Sequence, residues 1–443
     1  MRGVGLRPAG KGSEELDIRS FTTPRYSIYP LHPPYSRKFT QRTRVLTSCK
    51  IHEMSDLTVP DYESIGWYAH LPFCTTKCGY CDFYSLPTIP GLVDDLIAAL
   101  TEELRQRRPN RPVESIFVGG GTPTVLPAEA LGRFLRTLHA SAGPVEEFTV
   151  EANPSSTDEL KLELLRQCSV NRISFGAQSF NPDELRVLER IHDPRHIVES
   201  VKAARAAGLE NINLDLIYGI PGQTVAGWRD TLARAIDLGT DHLSCYALMY
   251  EPGTSLTRLR REGRLIACDE GPETEMFDAT IDRLTAAGFD HYEISNFARP
   301  GRRCRANIIY WENREYLGIG PSAVSYLDGV RRKNVADVRR YVEGMLSNAD
   351  VIAEQETLAP LERAGETAIQ MLRLIEGINF DRFRTLTGFD ARGLFDEQME
   401  RFASLGLAGR SPTHFALSRK GLLVSNQIMQ EFLAEPAASN STR

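Results

Sequence analysis

Cysteine is scarce in this sequence, and a long apolar run is missing. The 443 residues include eight cysteines, which are too few for a disulfide-stabilised scaffold in a chain of this size. No stretch of about 18 consecutive apolar residues occurs, so we predict no transmembrane helix. Positive charge is not in excess either: 52 Lys and Arg stand against 58 Asp and Glu, a net charge of −6, and we expect no nucleic-acid partner. These absences favour a globular protein, which we expect in the cytoplasm.

The first 53 residues differ from the rest of the chain. Residues 1–50 carry ten Lys and Arg against three Asp and Glu, and they show no apolar periodicity. The apolar core of a secretory signal is missing. The segment is therefore interpreted as a disordered basic arm or as sequence upstream of a true start at Met54, with an organellar transit peptide as a further alternative.

From about residue 66 short β-branched or aromatic runs alternate with amphipathic stretches, a pattern typical of βαβ units and a parallel sheet. Such a series forms either a doubly wound sheet or a barrel, and periodicity alone does not choose between them. The predicted strands are Gly66–His70, Ser115–Val118, Phe148–Glu151, Arg172–Gly176, Asn211–Ile217, His242–Leu248 and His291–Ile294. The predicted helices between them are Gly91–Gln106, Pro127–His139, Asp158–Arg166, Pro182–Glu189, Arg195–Ala207, Val225–Leu238 and Glu273–Ala287.

Polar and glycine residues lie at or just after the carboxyl ends of five predicted strands. They are the three cysteines Cys74, Cys78 and Cys81, the run Gly119–Thr122, and the single residues Glu151, Gln178 and Asp215. Because the carboxyl ends of parallel strands meet at one edge of a sheet, we expect these residues to lie together. That edge is the predicted functional site.

The three cysteines are spaced C-x3-C-x2-C on one loop. Three thiolates bound to a [4Fe–4S] cluster leave one iron free for a small molecule. Alternatives are a zinc site completed by His70, a dithiol redox pair and a thiol cluster without metal.

The segment from Tyr68 to Phe83, Tyr-Ala-His-Leu-Pro-Phe-Cys-Thr-Thr-Lys-Cys-Gly-Tyr-Cys-Asp-Phe, resembles the cluster-binding loop of the radical S-adenosylmethionine (SAM) superfamily. The motifs Gly-Gly-Gly-Thr-Pro-Thr after Val118, Glu-Ala-Asn-Pro from Glu151 and Ser-Phe-Gly-Ala-Gln-Ser-Phe from Ser174 extend the resemblance to the oxygen-independent coproporphyrinogen III oxidase group. It covers roughly residues 64–430. It implies an α/β fold: a partial (β/α)6 barrel with a small helical C-terminal domain.

The resemblance also implies the cofactors. Cys74, Cys78 and Cys81 would hold a [4Fe–4S] cluster, which would reduce bound SAM and break a carbon–sulfur bond. It assigns the SAM site to Tyr68, Tyr80, Gly120, Gly121, Thr122, Glu151, Gln178, Arg190 and Asp215. It assigns no catalytic residue. If the family resemblance is set aside, each of these residues is interpreted as a turn glycine, an ion-pairing group or part of the core.

Two features separate the branches of this group. The decarboxylating branch has a fourth cysteine where this chain has Phe83, so the chain is more similar to the heme chaperone branch, HemW, which passes heme to acceptor proteins. That branch's H-N-x-x-Y-W motif is matched from residue 306, but its histidine is Ala306 here. Alanine cannot bind iron, and Cys304 and His291 are the alternative heme ligands. A radical enzyme acting on a tetrapyrrole, or one with another reaction, is the competing hypothesis.

We predict four parts of the chain: the arm (1–53), the barrel (54–300), a connecting segment with the Arg-Ala-Asn-Ile-Ile-Tyr-Trp motif (301–355) and a C-terminal domain (356–443). From about Thr357 the pattern predicts helices, followed by a short strand at Phe415 and a last helix. This order is typical of a winged helix. Because no basic stripe accompanies it, we expect a lid over substrate or partner rather than a DNA-binding surface.

Overall fold

The computed structural model describes residues 63–433. The predictions for residues 1–53, for a start at Met54 and for a frayed end at 434–443 lie outside the described residues.

The strands in chain order are β1 (Ile65–Leu71), β2 (Phe73–Cys74), β3 (Leu86–Pro87), β4 (Val113–Gly120), β5 (Glu147–Ala152), β6 (Arg172–Gln178), β7 (Asn211–Tyr218), β8 (His242–Ala247), β9 (Asp290–Glu293), β10 (Asn296–Ala298), β11 (Tyr316–Ile319), β12 (Val324–Leu327), β13 (Val330–Asn334), β14 (Ile352–Thr357), β15 (Ile378–Asn379), β16 (Ala408–Arg410) and β17 (His414–Leu417).

The helices in chain order are α1 (Leu92–Arg107), α2 (Ala128–Ala142), α3 (Glu159–Gln167), α4 (Pro182–Val187), α5 (Pro194–Ala206), α6 (Val225–Asp237), α7 (Ser255–Arg261), α8 (Glu270–Ala286), α9 (Arg305–Trp311), α10 (Val338–Leu346), α11 (Pro360–Met371), α12 (Phe380–Thr387), α13 (Ala391–Leu394), α14 (Asp396–Ser404), α15 (Arg419–Leu423) and α16 (Ser425–Gln430).

Six parallel strands form the centre of a twelve-stranded sheet. The sheet order is β14-β13-β12-β11-β1-β4-β5-β6-β7-β8-β10-β9, and the six strands from β1 to β8 in that order pair in parallel. Helices connect successive strands of this centre, as βαβ units require. The predicted α/β fold with six βα units is confirmed.

Burial explains why these segments form strands and helices. Strand β1 is buried along its whole length, as expected for a parallel strand covered on both faces. Helix α1 buries Leu92, Leu96, Leu100 and Leu104, which recur every four residues along one face. Asp158 caps α3 by accepting a hydrogen bond from the backbone N–H of Lys161.

The segment 301–355, predicted to be a connection, contributes to the main sheet. Strand β11 pairs in parallel with β1, and β12, β13 and β14 follow as antiparallel neighbours. Strands β13 and β14 escape sequence-based detection because they are short and polar and lack an apolar pattern. Strand β13 is mostly half-buried, and β14 is largely exposed. The proposed domain boundaries stay a prediction.

The C-terminal part is helical, as the sequence predicts. It also contains a small three-stranded sheet, β15-β17-β16, of which the sequence predicts only the strand at Phe415 (β17). Its helix α15 lies against the barrel helix α8, where the Arg419 guanidinium contacts the carboxylates of Asp278 and Asp282 at 2.6 Å each. Between residues 63 and 433, no helix has the length and apolar character needed to cross a membrane.

Candidate functional site at the carboxyl ends of the strands

A cleft opens at the carboxyl ends of the parallel strands and encloses about 1400 Å³, its open mouth included. Eleven of the twelve residues assigned to cofactors on sequence grounds line this cleft. They are Cys74, Tyr80, Cys78, Cys81, Gly120, Gly121, Thr122, Glu151, Gln178, Arg190 and Asp215. Residues far apart in the chain therefore meet at the predicted edge of the sheet.

The cysteine loop forms one wall of the cleft. Cys74 ends β2, and its Sγ lies 3.8 Å from the hydroxyl of Thr122, while the Arg190 guanidinium donates to the Cys78 Sγ at 3.3 Å. Burial raises the pKa of the Cys81 thiol to about 12 and also raises that of Cys74. Without a metal these two thiols therefore stay protonated, and metal binding must displace their protons.

The zinc alternative fits the loop poorly. A zinc ion needs its ligands within about 2.0–2.3 Å of one point, yet within residues 63–433 no three His, Cys, Asp or Glu side chains are arranged to hold a metal ion. His70, the candidate fourth ligand, has its Nδ1 at 3.0 Å from the Tyr68 hydroxyl and its Nε2 at 3.1 Å from the Tyr84 carbonyl. An iron–sulfur cluster meets each thiolate at a different iron, so it does not require the three sulfurs to converge.

The glycine run after β4 permits a close approach of three chain segments. A Cβ on Gly119 would lie 2.4 Å from the Glu151 carboxylate, and one on Gly121 would lie 2.4 Å from the Phe73 carbonyl oxygen. Gly120 has φ +102°, a conformation that favours glycine, and its N–H donates to Glu151 Oε2 at 3.1 Å. These glycines pack the end of β4 against the cysteine loop and the carboxylate.

We expect Gly121→Ala to destabilise the protein by about 1–3 kcal/mol, because the added methyl group meets backbone rather than a flexible side chain. Chemical denaturation measures this effect. Gly271→Ala in α8 is the matched control, since an added Cβ there meets nothing within 4 Å; it should leave stability unchanged or raise it. Equal effects of the two substitutions would contradict the packing role.

Two carboxylates face the cleft from neighbouring parts of the sheet. Burial, followed by the charge of Asp215, raises the pKa of Glu151 from its ordinary value of 4.5 to about 8. Burial also raises the pKa of Asp215, while hydrogen bonds donated to it act in the opposite direction. An acidic cleft of this kind favours a ligand that carries positive charge and hydrogen-bond donors.

Gln178 and Arg190 reach the cleft through an irregularity in β6. The register between β6 and β7 shifts between Phe175 and Gln178, and Gln178 has φ +67°, which is unusual for a residue with a side chain. The Arg190 guanidinium donates to the Gly176 carbonyl at 2.6 Å. The bulge thus turns Gln178 into the cleft and leaves a carbonyl that anchors Arg190.

Tyr68 is the one assigned residue that does not line the cleft. It lies 5% exposed among Phe117, Cys304 and Ala306, with its hydroxyl on His70. Tyr80 does line the cleft, and it also packs on a small apolar cluster that includes Leu188 and Leu256.

Several cleft residues were missed by sequence reasoning. They are Asn153, Arg172, Ser174, Asn213, Ser244, Tyr246 and Asn307. Some of them could have been found from their spacing to residues already assigned to the site, because alternate residues of a strand share a face. Arg172 and Ser174 precede Gly176 and Gln178 at steps of two, and Asn213 precedes Asp215 in the same way.

The three positions considered for heme ligation are in different environments. Ala306 is buried near Phe117, and Cys304 lines the cleft with its Sγ 3.5 Å from a carboxylate oxygen of Glu147. Burial raises the pKa of the Cys304 thiol to about 12. His291 does not line the cleft; it stacks on Phe297, and its Nε2 lies 3.2 Å from the Ile294 carbonyl.

Comparison with known proteins identifies the family. Residues 68–235 match the Radical SAM superfamily, and residues 358–424 match the HemN C-terminal domain. A Bacillus subtilis protein named heme chaperone HemW is 35% identical, and the match covers 83% of this chain and 99% of that protein. The chain belongs to the HemW family.

Other HemW proteins are similarly close. Those of Mycobacterium tuberculosis and Escherichia coli are 34% and 32% identical, over 86% and 84% of this chain and 98% of each relative. A solved structure described as coproporphyrinogen III oxidase (HemN) from Escherichia coli, a radical SAM enzyme, superposes with a TM-score of 0.72 at 24% identity, covering 85% of this chain and 92% of that one. The similarity to this solved structure shows that the two proteins share a fold.

The cleft residues fit the cofactors of this superfamily, a [4Fe–4S] cluster and SAM. The donor set of three thiols is the one that iron–sulfur clusters use, and it leaves one iron without a protein ligand. Opposite the thiols stand the Glu151 and Asp215 carboxylates, and the glycine run leaves its backbone open to the cleft. A small cationic ligand with hydroxyl groups suits this lining.

Proposed function

We propose that the protein is a HemW-type heme chaperone that binds a [4Fe–4S] cluster, SAM and heme and transfers heme to acceptor proteins. The observation that carries the proposal is the similarity of 30–35% to named heme chaperones along nearly their whole length. Phe83 supports the choice of branch, because it lines the cleft beside the cysteines and cannot coordinate metal. The cytoplasmic location and the identity of the acceptors stay predictions.

Each group in the cleft has a part in this function. Cys74, Cys78 and Cys81 would hold the cluster, which would provide one-electron reduction chemistry at bound SAM. Glu151 accepts hydrogen bonds from the ligand and from Gly120, and Arg190 sets a positive charge beside the Cys78 sulfur. The fold thereby supplies binding and electrostatics around the cofactors.

Anaerobic reconstitution tests the proposal. Protein loaded with iron and sulfide should bind heme and show a Soret band, and it should pass that heme to an apo-cytochrome or another apo-hemoprotein in a mixing experiment. A reconstituted protein without heme affinity would contradict the chaperone function. The competing function, a radical enzyme acting on a tetrapyrrole, would instead give a SAM-dependent change of an added porphyrinogen.

We expect Glu151→Gln to have opposite effects on SAM binding and on stability. Because a bound cation favours the ionised carboxylate, which glutamine cannot provide, SAM binding should weaken by about 1–3 kcal/mol, measured by calorimetry. Because the folded protein holds a proton on Glu151 up to about pH 8, whereas the unfolded chain releases it near 4.5, the free energy of unfolding falls as pH rises through this window.

The neutral glutamine removes that dependence. The ligand-free variant should therefore be more stable than the parent at pH 8 and equal to it near pH 4, as measured by urea unfolding. Glu129→Gln, on an exposed helix surface far from the cleft, is the control. Unchanged SAM affinity in the Glu151→Gln protein would contradict the assignment.

A further inference from the structure

A line of buried hydrogen bonds begins at the start of α9. The backbone N–H of Cys304 donates to the Tyr292 hydroxyl oxygen at 3.4 Å, and this hydroxyl lies 2.8 Å from His242 Nε2. His242 Nδ1 lies 2.6 Å from Asn213 Oδ1. None of these four residues is more than 3% exposed.

The line continues from Asn213 to the cleft. The Asn213 amide donates to Asp215 Oδ1 at 2.9 Å and to the Ser174 hydroxyl at 2.7 Å. The Ser174 hydroxyl donates in turn to Asp215 Oδ2 at 3.0 Å. Both carboxylate oxygens of Asp215 therefore accept hydrogen bonds from the protein.

Only one placement of the hydrogens satisfies every bond along this line. Asn213 Oδ1 can only accept, so the imidazole hydrogen is on Nδ1. The neutral Nε2 then accepts from the Tyr292 hydroxyl, whose oxygen accepts from the Cys304 N–H. The Ser244 hydroxyl also donates to Asn213 Oδ1 at 3.2 Å, which fixes the orientation of the amide. Every hydrogen is directed towards Asp215.

The charges agree with this placement. Burial, and to a smaller extent the charge of Arg172, lowers the pKa of His242 well below its ordinary value, so the imidazole is neutral. Burial disfavours the charged form of Asp215, and the bonds donated by Asn213 and Ser174 favour it. The ionised carboxylate therefore depends on the hydrogens that this line delivers.

We propose that His242 and Tyr292 are positioning residues that hold Asp215 as a hydrogen-bond acceptor facing the cleft. Since an ionised carboxylate carries no hydrogen and can only accept, the ligand group that meets Asp215 must itself be a donor, as the hydroxyl groups of SAM are. This inference rests on the proposed function for the identity of the ligand, while the line of hydrogen bonds stands independently of it.

The tautomer of His242 is the first test. Nitrogen-15 spectra of the full-length protein should show one of its nine histidines as a neutral Nδ1–H tautomer from pH 6 to pH 8, assigned by its loss in the His242→Asn variant. An Nε2–H tautomer or an imidazolium at His242 would overturn the directed line.

SAM affinity is the second test. Tyr292→Phe removes one hydroxyl group from the line and should weaken SAM binding roughly three- to tenfold, as expected for a lost buried hydrogen bond. Tyr326→Phe, the same change at a buried position on β12, is the control and should leave the affinity unchanged. Equal affinities in the parent and in Tyr292→Phe would overturn the positioning role.

Variants of His242 separate positioning from packing. His242→Asn keeps an N–H close to the place of Nδ1, whereas His242→Phe keeps the ring and loses the donor. We expect the asparagine variant to bind SAM more tightly than the phenylalanine variant, and the reverse order would contradict the proposal. A parent protein without SAM affinity would overturn both the SAM assignment and the positioning role. The nitrogen-15 spectrum of His242 would still show whether the hydrogen bonds run from Tyr292 through His242 to Asn213.

Discussion

The Cys81→Ala protein should lose its iron–sulfur cluster entirely. The visible absorption and the paramagnetic signal of the reduced cluster should both vanish after anaerobic reconstitution, and Cys74→Ala and Cys78→Ala should behave alike. The physical reason is that each thiol lines the same cleft, and two thiolates leave two irons open to water. Iron analysis together with electron paramagnetic resonance measures the result.

Cys268 provides the matched control, because it lies outside the cleft and its Sγ faces the Asp269 carbonyl. Cys268→Ala should keep the full iron and sulfide content. A Cys81→Ala protein with the iron content of the parent would contradict the assignment, and so would anaerobically purified parent protein that contains zinc in place of iron.

The parallel core of the fold is predictable from the sequence, and the reasons are local. Apolar runs such as the one in β7 are bounded by turn residues, and α1 carries a leucine stripe at helical spacing. Strands β13 and β14 have no comparable pattern, since their register depends on the pairing of β13 with β12, of β14 with β13, and on ion pairs such as Arg331 with Glu366. Tertiary pairing rather than propensity decides such strands.

The site is predictable where chemistry is marked by spacing or by a strand end. The three cysteines and Glu151 belong to this class. His242 and Tyr292 do not, because a lone buried histidine or tyrosine has no signature in the sequence, and their role emerges only from hydrogen bonds between β7, β8 and β9. Gly176 is a similar case, since the bulge that it permits appears only in three dimensions.

The protein should form no protoporphyrinogen IX from coproporphyrinogen III. Oxidative decarboxylation needs a radical directed at a propionate group and an acceptor for the remaining electron, and the decarboxylating branch has a cysteine where this chain has Phe83. Phe83 lines the cleft beside Cys81, so the difference lies at the reaction centre rather than at the surface. The formation of protoporphyrinogen IX is measured in an anaerobic assay with SAM and a reductant. The product is oxidised and detected by fluorescence. Product formed at many turnovers per protein would contradict the prediction.

The same protein should bind heme, and the ligand can be located by substitution. Ala306 offers no lone pair, and it is buried in an apolar cluster with Phe117. His291 lies outside the cleft and is engaged with Phe297 and the Ile294 carbonyl, so His291→Gln should leave the Soret spectrum unchanged. Cys304 lines the cleft, yet burial and Glu147 favour its protonated thiol, which is a weak ligand.

Cys304→Ala therefore separates two modes of heme binding. If the thiol ligates iron, the substitution should shift the Soret band and lower the affinity by about tenfold or more; if the cleft holds heme by apolar contact alone, both should stay constant. We expect the first result, because displacing the thiol proton becomes favourable once iron is bound, as it does at other metal-thiolate sites. Binding that changes with His291 and not with Cys304 would place heme outside the cleft, against the outer face of β9.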